Sequence, residues 1–127
     1  MSEAVTNGVR VQVESRYLEE HSDPASKRWV HVYRVTIINE GDEAVQLVSR
    51  HWIITNSRGE EEHVRGPGVV GETPTMEPGE GFQYTSGCPL DTAFGTMHGT
   101  YQMVTRGGTH FNTKITPFTL AEPYALN

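Results

Sequence analysis

The sequence holds a single cysteine, Cys88, and only two lysines, Lys27 and Lys114. One cysteine excludes an intrachain disulfide and suits a reducing compartment. The eight arginines stand singly, and 16 acidic against 10 basic residues leave a formal net charge of −6. Proteins that bind nucleic acid cluster Lys and Arg to displace counterions from phosphates, so DNA, RNA and anionic membranes are not the expected partners. No apolar run exceeds four residues, whereas a membrane span needs about 20. Residues 1–10 show no basic segment followed by an apolar core, so no signal peptide is expected. The location expected is cytoplasmic. Helical 3.6-residue periodicity is scarce as well, which argues against helical and α/β folds.

What the chain has instead is period-two alternation. Its 127 residues suit one domain, spanning 1–127. Val9, Val11 and Val13 alternate with Arg10, Gln12 and Glu14. Further strands are read over 29–38, 44–55, 60–65, 82–86, 96–105 and 110–120, separated by turn residues such as Asn39-Glu40-Gly41 and Arg106-Gly107-Gly108. This pattern predicts an all-β fold: an antiparallel β-sandwich of seven to eight strands, immunoglobulin-like or fibronectin type III-like. Tyr33, Val35, Ile37 and Trp52 are expected to point inward. The third strand carries apolar residues on both parities, Leu47 and Ile53 against Val48 and Ile54, so its inward face stays open. Tyr101 stands where such folds can carry a corner tyrosine.

Residues 65–74 read RGPGVVGETP, in which Gly66, Gly68 and Gly71 spell G-x-G-x-x-G. That spacing binds a dinucleotide when the glycines turn a strand into a helix whose N-terminus meets the pyrophosphate. Here Pro74 and Pro78 follow four residues apart, and the second would fall inside such a helix at a cost of about 3 kcal/mol. Pro67 also removes a backbone donor. The glycines are therefore read as serving positive φ or close backbone approach in an irregular loop. A ligand-binding or anion-binding role for Arg65, Gly66, Gly68 and Gly71, with the loop amides as a nest, is the alternative.

Other candidate chemistry is sparse. The histidines, residues 21, 31, 51, 63, 98 and 110, show no zinc-ligand spacing, so no metal and no cofactor is expected. His51 and His63 could meet across the turn at 56–59. Cys88 has no neighbouring base and reads as a small buried hydrophobe. Glu60, Glu61 and Glu62 read as a solvated or edge-blocking run. Trp29, Tyr33, Phe82 and Tyr84 read mainly as core. No convergent catalytic set stands out.

The motifs taken together are more specific than any one of them. Arg50-His51-Trp52 through Thr55, the stretch 64–74, Pro78-Gly79-Glu80, the stretch 84–90 (YTSGCPL) and Gly95-x-Met97-x-Gly99-x-Tyr101-x-Met103 resemble the ApaG family through nearly the whole chain. That resemblance implies a fibronectin type III-like sandwich of about this length. It also brings the family label of cobalt and magnesium efflux protein, and similar domains in eukaryotic F-box proteins and a polymerase-interacting protein that look like protein-binding modules. The family offers no established catalytic residues. The function expected is a non-enzymatic binding module that contacts an as yet unknown protein partner. The alternative is a binder of phosphate-bearing or anionic small compounds through the glycine-rich loop.

Overall fold

The computed structural model describes residues 1–123, so the last four residues of the expected domain lie outside the described residues. Nine strands run in chain order: β1 (Ser2–Thr6), β2 (Val9–Tyr17), β3 (Trp29–Asn39), β4 (Val45–Asn56), β5 (Glu61–Pro67), β6 (Thr75–Met76), β7 (Gly81–Leu90), β8 (Phe94–Thr105) and β9 (His110–Ala121). They form two antiparallel sheets. One has the order β1-β2-β3-β7; the other has the order β5-β4-β8-β9, with β6 also paired to β4. The all-β sandwich is as expected, with nine strands where seven to eight were read.

The differences have local causes. Asn7 and Gly8 both take positive φ, forming the hairpin turn that Asn-Gly favours and adding β1 ahead of the first strand read from the sequence. β6 is a two-residue pairing too short to leave a pattern. β7 runs on to Leu90, past Gly87 and Pro89, because proline is tolerated where its missing donor would face a free edge. The stretch read as loop after Glu19 holds two short 3₁₀ turns, Glu19–His21 and Pro24–Ser26.

Tyr33, Val35, Ile37 and Trp52 are all buried. Tyr33 of the first sheet meets Trp52 and Phe118 of the second, with ring centroids 5.4 and 6.0 Å apart. Trp52 also presents edges to Tyr101 and Phe118 at 84° and 88°. Edge-to-face pairs of this kind add about 0.5–1.5 kcal/mol each beyond the area they bury. Tyr101 is not a corner residue: its hydroxyl meets that of Tyr84 in the core rather than a main-chain group.

The open question about the third strand resolves into a bulge. Leu47 pairs with Met103, but Ser49 pairs with Gln102, so Val48 is an extra residue. Val45 and Leu47 point inward before the bulge; Trp52 and Ile54 do so after it. The inward parity switches at Val48, which is 40% exposed.

Opposite that bulge the chain makes a longer excursion. β5 and β6 lie successively along the same side of β4, and residues 68–74 span the gap between them. The Gly68 amide donates to the Val48 carbonyl at 2.8 Å, and the Leu47 amide donates to the Pro74 carbonyl at 3.0 Å. Between these anchors Val69 and Glu72 exchange main-chain hydrogen bonds around a tight turn, and Val69 is 1% exposed in the core. Val70 and Gly71 have φ of 44° and 83°, the geometry of a type I′ turn, which a β-branched residue occupies at a cost.

Two substitutions in this loop should therefore move stability in opposite directions. Gly68 has φ 58°, and a Cβ there would lie 2.2 Å from the Glu72 carbonyl oxygen. Gly68→Ala should cost more than the ~1–2 kcal/mol of left-handed strain alone. Val70→Asn, which places the favoured Asn-Gly pair in the exposed turn, should stabilise by about 1 kcal/mol. Urea unfolding midpoints check both signs.

Candidate functional site

The four residues singled out in the sequence do not converge on one cradle. Gly66 lies within β5, opposite Arg50. A Cβ at Gly66 would come within 3.0–3.1 Å of the Arg50 guanidinium, so the glycine makes room for that group. Gly68 is buried at the seam with Val48, whereas Gly71 is exposed at the loop tip. The amides of Gly68, Val69 and Glu72 are engaged by main-chain carbonyls, while those of Val70 and Gly71 have no such acceptor among the described residues. Arg65 is exposed on the outer face of the sheet, directly opposite His51.

Arg50 is the residue that the sequence reading passed over. After the bulge it shares the inward face with Trp52. Its Nη1 donates to the carbonyls of Pro67 and Gly68, both at 2.9 Å. It thus caps the start of the glycine loop, tying β4 to that loop from beneath. Its charge also opposes the burial that raises the pKa of the neighbouring Tyr33, Tyr84 and Tyr101 hydroxyls. In the sequence it is only an arginine two residues before the core tryptophan; the bulge is what turns it inward.

On the opposite face, His51 and His63 do meet, as the hairpin allowed: His51 Nε2 lies 2.9 Å from His63 Nδ1. The pair is diagonal, because His51 faces Arg65 and His63 faces Ile53. The His51 imidazole titrates below its ordinary value, first through desolvation and then through the positive charges of Arg65, His63 and His98. No group of three His, Cys, Asp or Glu side chains suited to a metal ion occurs among the described residues.

Cys88 is buried as read, and burial with the nearby Glu62 charge pushes its thiol up to about 11, so it is a poor nucleophile. Glu60 pairs with Arg58, which also holds Asp91; Glu61 and Glu62 stand exposed on β5. Trp29 and Phe82 are partly buried against the core.

The ApaG domain pattern matches residues 19–105, which include the bulge, the Arg50 clamp and the glycine loop. The chain belongs to the ApaG family. It is 54% identical to Protein ApaG of Brucella anthropi over 97% of this chain and 95% of that one. It is 50% identical to Protein ApaG of Shewanella oneidensis over 98% of both chains. A crystal structure described as that of an ApaA protein from Bordetella pertussis superposes with a TM-score of 0.89 at 48% identity, covering 92% of this chain and 95% of that one. None of these ApaG and ApaA names carries an enzymatic designation.

Removing a positive neighbour favours the charged form of an imidazole. In this ApaG protein, Arg65→Gln should therefore raise the His51 pKa back towards the ordinary histidine value, with His31 unmoved. A pH titration of the ring resonances by NMR measures both.

Proposed function

We propose that this ApaG-family chain is a non-enzymatic, cytoplasmic binding module that takes an extended segment of a partner protein along the free edge of β7. One observation carries the reading: among the sheet edges of the described residues, β7 is the one left both open and uncharged. The edges on the other side of the sandwich are laced together. The Lys114 amide donates to Thr6 Oγ1, Thr116 Oγ1 to the Glu3 carbonyl, and Ser15 Oγ to the Thr119 carbonyl. β5 carries Glu61, Glu62, His63 and Arg65, the charges by which edges resist pairing. The ten residues of β7, GFQYTSGCPL, include no charge at all.

The register defines what that edge offers. The Asn39 amide donates to the Glu80 carbonyl, so even-numbered residues of β7 bond to β3. Gln83, Thr85 and Gly87 then turn both donor and acceptor outward, and Pro89 supplies an acceptor. An added strand would gain these main-chain bonds, each worth about 0.5–1.5 kcal/mol net. Beyond Pro89 a depression of about 380 Å³ is lined by Glu60, Glu61, Glu62 and Asp91; Arg58 already holds Glu60 and Asp91, and Glu61 and Glu62 favour a basic residue at that end of the bound segment. No helix among the described residues is long and apolar enough to cross a membrane, and any tie to cobalt or magnesium efflux would run through such a partner.

Thr85→Pro tests the reading, because it deletes an outward donor without removing a bond to β3. Extended peptides selected by phage display should shift the amide resonances of β7, and Thr85→Pro should weaken them about tenfold or more while leaving the fold intact. Selected peptides that map elsewhere and ignore the substitution would contradict it.

A further inference from the structure

We infer that the outer face of the second sheet carries an oxyanion site, centred on Arg65 and the His51–His63 pair, that accepts a phosphate group. The inference does not depend on strand addition at β7, which lies in the other sheet.

The strand register assembles the site. Arg65, His51, Thr100 and Lys114 form one rank across β5, β4, β8 and β9, and His63 with His98 flank Ile53 in the next. Directly opposed side chains in such a rank stand about 4.5–5.5 Å apart at Cβ. Ser49, Arg50, His51, Arg65, Gly66 and Gln102 line a shallow depression of about 330 Å³ with no carboxylate among them. Arg10, Arg34, Arg58 and Arg106 each pair with a carboxylate elsewhere on the molecule; Arg16, Arg28, Arg50 and Arg65 do not among the described residues, and of these Arg50 and Arg65 both line this depression. On a chain of net charge −6, that makes this face a local exception.

The hydrogen bonds are oriented for an acceptor. His63 Nε2 lies 3.5 Å from a Glu61 carboxylate oxygen. With that nitrogen protonated, His63 Nδ1 accepts from His51 Nε2–H. His51 Nδ1 is then the ring nitrogen of the pair without a partner among the described residues. A proton taken up there makes His51 a charged donor without breaking the His–His bond. Ser49 Oγ donates to Gln102 Oε1, and Gln102 Nε2 donates to Thr100 Oγ1. That chain leaves the Thr100 hydroxyl proton free to donate beside His51. The Arg65 guanidinium supplies the planar fork that suits phosphate. The charged groups facing His51 are Arg65 and His63 on β5 and His98 on β8, with Lys114 beyond Thr100 and Glu61 behind His63. Of the three sequence glycines only Gly66 lines the depression; Gly68 and Gly71 do not.

The test is a titration with sulfate, whose charge is constant near neutrality, at fixed ionic strength set with chloride. Imidazole and amide shifts report it, and inorganic phosphate and glycerol 2-phosphate form parallel arms. Saturable shifts at His51, His63 and Thr100 are expected, with sulfate affinity rising about tenfold from pH 7 to pH 5 as His51, which titrates below the ordinary histidine value, gains its proton. Arg65→Gln should abolish saturation, and Arg34→Gln, on the other sheet, should leave it unchanged. Tighter binding of the ester than of inorganic phosphate would assign the site to a phosphomonoester; the reverse order would assign it to the free ion. Linear shifts without saturation, or equal affinity in Arg65→Gln, would overturn the inference.

Discussion

A single extra residue in β4, Val48, sets the arrangement of everything around it. Without the bulge, one parity would run through the strand, and Arg50 and Trp52 would face solvent while His51 and Ile53 faced the core. With it, Trp52 joins the aromatic cluster that bridges the sheets. Arg50 turns under the glycine loop, and His51 turns out beside Arg65. The loop answers the bulge: it leaves β4 at the Val48 carbonyl, rejoins it at the Leu47 amide and drops Val69 into the core between. Bulges beside functional surfaces commonly re-aim side chains in this way.

The same seam explains why a dinucleotide fingerprint occurs with no helix behind it. Gly66 yields space to a guanidinium, Gly68 meets the Glu72 carbonyl closer than any side chain permits, and Gly71 completes a turn. Each glycine answers a different steric demand, Gly66 within β5 and Gly68 and Gly71 in the excursion beyond it. Among the described residues the resulting sandwich is closed along one side by side-chain bonds among β1, β2 and β9, while no such bonds join the charged edge of β5 to the uncharged edge of β7 on the other.

Much of this was legible in the sequence. Period-two alternation located seven of the nine strands, and Pro74 with Pro78 excluded the helix that a phosphate cradle needs. The rest was hidden for physical reasons. Asn7-Gly8 signalled a hairpin, but Ser2–Thr6 is too short and too polar to stand out as its first arm. Apolar residues on both parities of β4 concealed the bulge, because a parity switch in an apolar strand leaves both halves plausible. Arg50 was unreadable for the same reason: its role follows from facing inward. Arg65 and the His51–His63 pair could be named from the sequence, but His98 joins them only through strand pairing across β4. The openness of β7 depends on which strands flank it, and a strand's own composition carries no record of its neighbours.

The glycine loop is welded into the β4 seam, while among the described residues the middle of β7 has no strand on its outer side. Residue-resolved amide hydrogen exchange tests both in one measurement. Exchange follows the hydrogen bond each amide makes and the unfolding needed to break it. The amides of Leu47, Gly68 and Val69 should exchange as slowly as the core strands, whereas those of Gln83, Thr85 and Gly87 should exchange far faster than their even-numbered neighbours. Rapid exchange at Gly68 and Val69, together with uniform protection along β7, would contradict a welded loop and an open β7 edge.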